Sequence, residues 1–266
     1  MATLLKHEDF AGGAYDTGYW TAGETAFAAA HYTPDTAEPK YVSSSPSPGA
    51  SGQSIHYYIK SGTDEVTPVR LQRNGVLNEF YIEWYVYFKS AFTYPGGLKL
   101  FRSGYTEGGG NSLFLEYNYE GFVVFYTYDS PSGLEHYNGS DDYSFAEDTA
   151  IKIAVYHKNS TPSTADGRCI FYVNDTIIKD SGNVITRTSS ADKDFFWIGG
   201  NHSWGGGNGE GGGTTAGADS HLYFSNIKVY DGIPSGISPK LTLKRASAGQ
   251  RAGQQSGQLK KEKSNC

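Results

Sequence analysis

The stretch that decides the fold is residues 79–88, which read EFYIEWYVYF. Large apolar side chains occupy every even position, and glutamate or tyrosine occupies every odd position. Strict alternation over ten residues is typical of a β-strand, because successive side chains point to opposite faces of a sheet. We therefore predict a strand with one apolar face and one polar, tyrosine-rich face.

The same alternation recurs in four further segments, each bounded by Gly, Pro, Asn or Asp: residues 113–119, 122–128, 151–157 and 222–230. Strands with one apolar face are typical of antiparallel sheets. Two apolar runs also flank Asn174 and Asp175, residues that tolerate the positive φ of a tight turn, which predicts a two-residue hairpin there. The best helical candidate, residues 23–31, is short. The sequence therefore predicts an all-β protein.

The composition excludes several classes of protein. The chain has 266 residues, of which 38% are hydrophobic and 15% aromatic, and its net charge is only -6, so it is not disordered as a whole. It has no apolar run near the length of a membrane-spanning helix. Cys169 and Cys266 do not make a disulfide framework. The first residues lack an apolar secretory segment, so we expect no export by that route.

The alternation stops near residue 234, so we expect one β-sandwich over residues 1–235 and a basic, low-complexity arm over residues 236–266. Residues 240–266 hold seven Lys or Arg and one acid, whereas the rest of the chain has a net charge of -12. The arm has no aromatic residue to stack on bases, which favours docking on an acidic neighbouring subunit over nucleic acid. The expected contact residues are Leu241, Leu243, Lys244, Arg245, Arg251, Leu259, Lys260 and Lys261.

Taken together, the strand order resembles the concanavalin A-like lectin and glucanase superfamily. This superfamily is a two-sheet jelly roll that includes laminin G-like modules and several polysaccharide lyases. The resemblance covers about residues 7–232. Its carriers are the segments HEDFAGG at 7–13, EFYIEWYVYF at 79–88, FYVNDTI at 171–177, FWIGG at 196–200 and LYFSNIKVY at 222–230. These motifs specify the sandwich better than an activity, since fold alone does not give function.

The resemblance implies a concave sheet that binds glycans. The odd face of residues 79–88 suits this role, because tyrosine rings stack on the apolar faces of sugars while carboxylates and phenols bond hydroxyls. A packing or assembly role for the same tyrosines stays open. The candidate glycan-binding residues are Tyr81, Glu83, Tyr85 and Tyr87, with Trp204 from the glycine-rich loop.

Two enzymatic functions are the alternatives to a binding role. A glycoside hydrolase needs two carboxylates across one sugar, but Glu79 and Glu83 lie roughly 13 Å apart along a strand, which is too far. A lyase instead uses Tyr, His, Lys or Arg to remove a proton beside a uronate carboxylate and to neutralise that carboxylate. Residues 87–89, Tyr-Phe-Lys, match a fragment of some alginate lyases, although no Gln-x-His follows. The candidate lyase residues are Tyr87, Lys89, Arg102 and His157.

No cofactor is expected. The glycine-rich loop at residues 199–217 lacks the Gly-Lys-Ser or Gly-Lys-Thr ending of a phosphate-binding loop, and no zinc motif is present. Loop acids are usually solvated, so calcium is left only as an open alternative. The acids that could supply its oxygen ligands are Asp141, Asp142, Glu147 and Asp148.

From the sequence we expect a non-catalytic structural or adhesion protein, a virion component such as a phage capsid decoration or tail-associated protein that binds glycans. The alternative is a polysaccharide lyase acting on a uronate-containing polymer. The expected partners are further copies of the chain, other subunits of the assembly and a polymeric or cell-surface glycan, without nucleic acid or membrane insertion. The expected location is the virion or, alternatively, the extracellular space.

Overall fold

The structure is a computed structural model. It describes residues 2–10, 16, 18–22, 40–42, 53–59, 69–74, 77–90, 98–104, 113–117, 123–127, 145–186, 195–202 and 220–237. Within these ranges there is no α-helix, which confirms the all-β prediction. No helix in this part of the chain is therefore long and apolar enough to cross a membrane. The helical candidate at residues 23–31 and the predicted arm beyond residue 237 lie outside these ranges.

The described residues form fourteen strands. In chain order they are β1 (Leu4–Glu8), β2 (Thr21–Ala22), β3 (Lys40–Val42), β4 (Ser54–Ile59), β5 (Val69–Asn74), β6 (Glu79–Phe88), β7 (Leu98–Gly104), β8 (Leu113–Tyr117), β9 (Val123–Thr127), β10 (Ala150–Lys158), β11 (Arg168–Val173), β12 (Thr176–Asp180), β13 (Phe195–His202) and β14 (Ser220–Tyr230). The decisive stretch is strand β6, with the predicted bounds.

Eight strands form the larger sheet, in the order β12-β11-β10-β6-β14-β4-β3, with β1 also paired to β14. The pairs in this sheet are antiparallel, and β6 lies at its centre between β10 and β14. Since β6 is hydrogen-bonded on both edges, its side chains can reach only the two faces of the sheet. The side chains on the inward face and those on the opposite face therefore lie in different surroundings.

The second sheet has six strands in the order β2-β5-β13-β7-β8-β9. Its rings pack on the even face of β6: the ring centroid of Phe80 lies 5.1 Å from that of Phe196 and 6.2 Å from that of Phe101. Trp84, fully buried, stacks on Phe101 at 6.1 Å. These contacts place the core between the two sheets and confirm the apolar face predicted for residues 79–88. We call the opposite face of the eight-stranded sheet the outer face.

The predicted hairpin joins β11 to β12. Asn174 and Asp175 adopt φ values of 47° and 63°, the left-handed conformation that a two-residue hairpin turn requires. The side-chain oxygen of Asn174 accepts the main-chain N–H of Lys152 at 3.0 Å, which ties the turn to β10. The turn therefore brings Asp175 to the outer face of the sheet, beside Lys152.

Candidate functional site

At one end of the outer face, the tyrosines are buried rather than exposed. Tyr81 is 0% exposed and makes edge contacts with Tyr172 and Tyr230, at 5.6 Å and 6.0 Å between ring centroids. Ile233 and Ile237, beyond the end of β14, pack against the same cluster. Tyr81 therefore has no accessible ring on which a sugar could stack, and only the remaining candidate tyrosines of β6, Tyr85 and Tyr87, are partly exposed.

The middle of the outer face carries a row of alternating charges that crosses three strands and the hairpin turn. Glu83 of β6 lies between two lysines, with its carboxylate 3.3 Å from Lys228 Nζ and 3.9 Å from Lys152 Nζ. Lys152 also contacts Asp175 at 2.5 Å. We call Lys228, Glu83, Lys152 and Asp175 the charge ladder. Burial opposes the charge of Lys152, but the bond to Asp175 and the nearby Glu83 outweigh it, so the pKa of Lys152 is raised.

At the other end of the outer face, where β6 ends, a phenol, a carboxylate and an amine meet. The Tyr87 hydroxyl donates to Asp148 Oδ1 at 2.9 Å, and Lys89 Nζ lies 3.6 Å from the same oxygen. The main-chain N–H of Ser90 donates to this carboxylate as well, at 3.1 Å. Asp148 is fixed beside the strand because its own N–H donates to Phe88 O at 2.8 Å. At the end of β6, Tyr87 and Lys89 therefore both contact the Asp148 carboxylate.

Two histidines and a second tyrosine adjoin this group. The ring of Tyr223, opposite Tyr87 in the pairing of β14 with β6, meets the Tyr87 ring edge-on at 6.0 Å. His56 of β4 stacks parallel to Tyr223 at 4.5 Å between ring centroids. His56 Nε2 lies 2.9 Å from His221 Nδ1, within hydrogen-bond distance. The outer-face cluster is defined as His56, Tyr87, Lys89, Asp148, His221 and Tyr223.

Burial and hydrogen bonds shift the pKa values of three side chains in this cluster. Partial desolvation and the hydrogen bond to Asp148 raise the pKa of the Tyr87 phenol above its ordinary value. Desolvation also raises the pKa of Tyr223. The N–H of Ser90 and the Tyr87 hydroxyl lower the pKa of Asp148. At neutral pH the cluster therefore presents two protonated phenols and an ionised carboxylate beside two imidazoles, groups suited to proton transfer.

The structure separates the four candidate lyase residues. Tyr87 and Lys89 belong to the outer-face cluster, whereas His157 points into the core from β10. His157 is 0% exposed, contacts Cys169 Sγ at 3.3 Å and Asn159 Oδ1 at 2.8 Å, and lies beside the ring of Phe80. Tyr87 and His157 occupy opposite faces of one sheet, so they do not form one site. Arg102 lies on β7 of the other sheet, paired with Trp197 of β13.

Several predicted residues fall outside the described ranges: Trp204, the arm residues Leu241, Leu243, Lys244, Arg245, Arg251, Leu259, Lys260 and Lys261, and the loop acids Asp141 and Asp142. Of the acids considered for calcium, Glu147 is exposed, and Asp148 is bound to the Tyr87 hydroxyl and the Ser90 N–H. Among the described residues, no group of three or more His, Cys, Asp or Glu side chains could hold a metal ion.

The sequence interpretation missed His56, His221 and Tyr223. A signal for each was present in its own strand. His56 follows the buried Ile55, and His221 and Tyr223 flank the buried Leu222, so the alternation places all three on the polar face. What the sequence does not contain is the pairing of β4 with β14 and of β14 with β6, which brings the three rings to the end of β6.

No protein-family model and no curated protein matches the sequence. Solved structures do match. A marine PL-14 alginate lyase from Aplysia kurodai is 14% identical, with a TM-score of 0.58 over 86% of this chain and 99% of that one. An endo-β-1,4-glucuronan lyase from the fungus Trichoderma reesei is 12% identical, with a TM-score of 0.58 over 85% and 95%. A botulinum neurotoxin type C structure is 11% identical, with a TM-score of 0.53 over 88% and 49%.

These matches correct the main functional expectation. The similar structures are mostly alginate and glucuronan lyases, and nothing among them supports a non-catalytic virion or capsid-decoration protein. The interpretation as a virion component is therefore wrong, and its alternative, a polysaccharide lyase, is the better supported of the two. The matched lengths and the two packed antiparallel sheets agree with the fold that the sequence predicted. This chain therefore has a two-sheet antiparallel β-sandwich fold similar to that of these lyases.

Proposed function

We propose that this protein is a polysaccharide lyase that cleaves a uronate-containing polymer at the outer-face cluster. The observation that carries the proposal is the convergence of Tyr87, His56, His221 and Lys89 at one end of the outer face. These are the side-chain types that a β-elimination beside a carboxylate needs. The lyases among the similar structures support the same reaction class.

The chemistry assigns a role to each group. Elimination removes the proton next to the uronate carboxylate, the electrons of that C–H bond form a C=C bond, and the glycosidic oxygen leaves with its bonding pair. The imidazoles of His56 and His221 suit the base, since histidine exchanges a proton near neutral pH. Tyr87 suits the acid that protonates the leaving oxygen, because its raised pKa keeps the phenol protonated. Lys89, half exposed at the edge of the cluster, suits the cation that neutralises the carboxylate.

The substrate must carry a carboxylate for this reaction. The carboxylate makes the neighbouring proton acidic enough to remove, and a cation beside it stabilises the negative charge that develops in the transition state. The partly exposed Tyr85 and the lysines of the charge ladder lie one or two rows further along the same face and suit contacts with neighbouring sugars. A neutral glucan would offer neither the acidic proton nor the charge.

The test is incubation of the protein with alginate, glucuronan and a carboxyl-reduced polymer, while the ultraviolet absorbance of the new C=C bond is followed. We expect absorbance to rise with one of the two acidic polymers and not with the neutral one. Tyr87→Phe should lower kcat by roughly 10²–10⁴-fold, the usual contribution of a general acid.

Tyr156→Phe is the matched control. It removes a phenol from the same face, one that donates to Glu79 within the buried tyrosine cluster, and should leave kcat within about twofold. Retention of either acidic polymer without any new double bond would overturn the lyase assignment and favour a glycan-binding protein without catalysis.

A further inference from the structure

The two histidines of the outer-face cluster share one short contact. His56 Nε2 and His221 Nδ1 are 2.9 Å apart, and both side chains are half buried on neighbouring antiparallel strands. At this distance one nitrogen carries a proton and donates a hydrogen bond to the other nitrogen, which must be unprotonated. The two rings therefore hold one bridging proton between them.

The bridge limits how many protons the pair can hold. In the neutral pair, one of the two remaining nitrogens, His56 Nδ1 or His221 Nε2, carries a proton and the other is bare. Adding one proton at the bare nitrogen leaves the bridge intact. Adding a second would place two N–H groups face to face between two positive rings, which loses the hydrogen bond and adds repulsion between like charges.

We propose that His56 and His221 form one two-ring base that takes up a single proton, and that this unit is the proton acceptor of the elimination. The proposal rests on the proposed lyase function and deepens it. The substrate proton adds to the bare ring nitrogen, the bridging proton shifts toward the partner ring, and the unit becomes a single cation. Release of one proton to water then restores the neutral pair, and uptake of one proton from water restores the Tyr87 phenol, so the proton balance closes over one turnover.

The groups around the pair favour one positive charge there. The Tyr223 ring lies parallel to His56 at 4.5 Å, with its planes inclined by 7°, and an aromatic face attracts a cation. Tyr87 meets Tyr223 edge-on and bonds the ionised Asp148, which also faces Lys89. In strand register, Lys40 of β3 is opposite His56, and Tyr58 of β4 is opposite His221. Lys89 is also tied to β14, since its N–H donates to His221 O.

The direct test is a pH titration of the histidine ring resonances of the full-length protein by NMR, without substrate. Strongly coupled groups titrate in two macroscopic steps that belong to the pair. We expect the steps of His56 and His221 to be separated by more than about one pH unit. In His56→Gln, whose amide can replace Nε2 in the hydrogen bond, His221 should titrate in one step between the two wild-type steps.

His7 gives the matched control. It lies on β1, and its Nε2 contacts Asn226 Oδ1 at 2.7 Å, away from the pair, so His7→Gln should leave both steps of the pair in place. Two histidines that titrate independently in the wild-type protein, with His221 unmoved by His56→Gln, would overturn the proposal. The wild-type titration decides this by itself if the variant does not fold.

The pH dependence of catalysis then separates this proposal from the proposed function. If the pair is the base, kcat/KM on the cleaved polymer should fall on the acid side with the upper step of the pair, and His221→Asn should lower kcat at least tenfold. Separated titration steps in a protein that cleaves no uronate polymer would overturn the lyase assignment but not the shared proton. If kcat/KM falls on the acid side at a pH unrelated to the upper titration step of the pair, the pair is not the base.

Discussion

Replacing Glu83 by glutamine tests whether the charge ladder stabilises the outer face. The Glu83 side chain is 9% exposed, and the change removes its charge without changing its size. At an effective dielectric constant of about 20, Coulomb's law gives about 5 kcal/mol for Glu83 with Lys228 at 3.3 Å and about 4 kcal/mol with Lys152 at 3.9 Å. Desolvation of the three charged groups offsets most of this attraction.

The net loss should be smaller than the 3–5 kcal/mol typical of a fully buried pair, because Lys228 is 30% exposed and can turn to water, and Lys152 keeps Asp175. We expect Glu83→Gln to lower the free energy of unfolding by about 2 kcal/mol. The measurement is urea-induced unfolding at neutral pH. Glu79→Gln is the matched control, since Glu79 lies on the same face of β6 but is exposed, and the glutamine oxygen can still accept from the Tyr156 hydroxyl. We expect a loss of about 0.5 kcal/mol or less.

A double-mutant cycle with Lys228→Met isolates the ion pair. Once Glu83 is neutral, replacing Lys228 removes an unpaired charge rather than a partner. The double variant should therefore be more stable than the sum of the single changes predicts, by at least about 0.5 kcal/mol. Additive losses, or a loss in Glu83→Gln no larger than in the control, would refute the reasoning and show that water already screens the ladder.

Three further predictions concern the fold. Asn174→Ala should cost about 2 kcal/mol in denaturant unfolding, because alanine disfavours φ of 47° and cannot accept the β10 amide; unchanged stability would contradict the turn assignment. Gly167→Ala should cost about 1–3 kcal/mol, since the added Cβ would lie 2.8 Å from Ser160 N, and a wild-type melting temperature would exclude this crowding. The ion pair with Arg168 lowers the pKa of Asp180, so its stabilisation is complete above the unfolded carboxyl's pKa and is lost as pH falls through the lower folded value. The stability gap between wild type and Asp180→Asn should close on acidification, and a gap independent of pH would argue against the pair.

Whether the outer face binds a polymer through its remaining tyrosines stays a prediction. Tyr85 and Tyr87 are partly exposed there, whereas Tyr81 is covered by neighbouring tyrosines and by Ile233 and Ile237. The burial of Tyr81 limits the accessible tyrosines of β6 to its C-terminal half. That half ends at the outer-face cluster, so the proposed sugar contacts and the proposed proton transfer lie at the same end of the sheet.

The position of His157 could have been predicted from its own strand. Residues 151, 153 and 155 are apolar, and His157 continues their period of two. Successive odd positions of a strand share a face, so this parity places the imidazole in the core with its three neighbours. Its hydrogen-bond partner Asn159 and its contact Cys169 are buried with it, which makes the group structural rather than catalytic.

The sequence by itself determined the strands that alternate strictly, the two unlike faces of β6 and the hairpin at Asn174 and Asp175, because each depends on residues close together in the chain. Alternation assigns faces within a strand, and a turn of positive φ needs only its own two residues. The tertiary structure alone decided which strands adjoin. His56 and His221 are 165 residues apart in the chain, and they meet because β4 pairs with β14. Strand order and register arise from burying the inner faces of all the strands together against the second sheet, and no single segment encodes that choice.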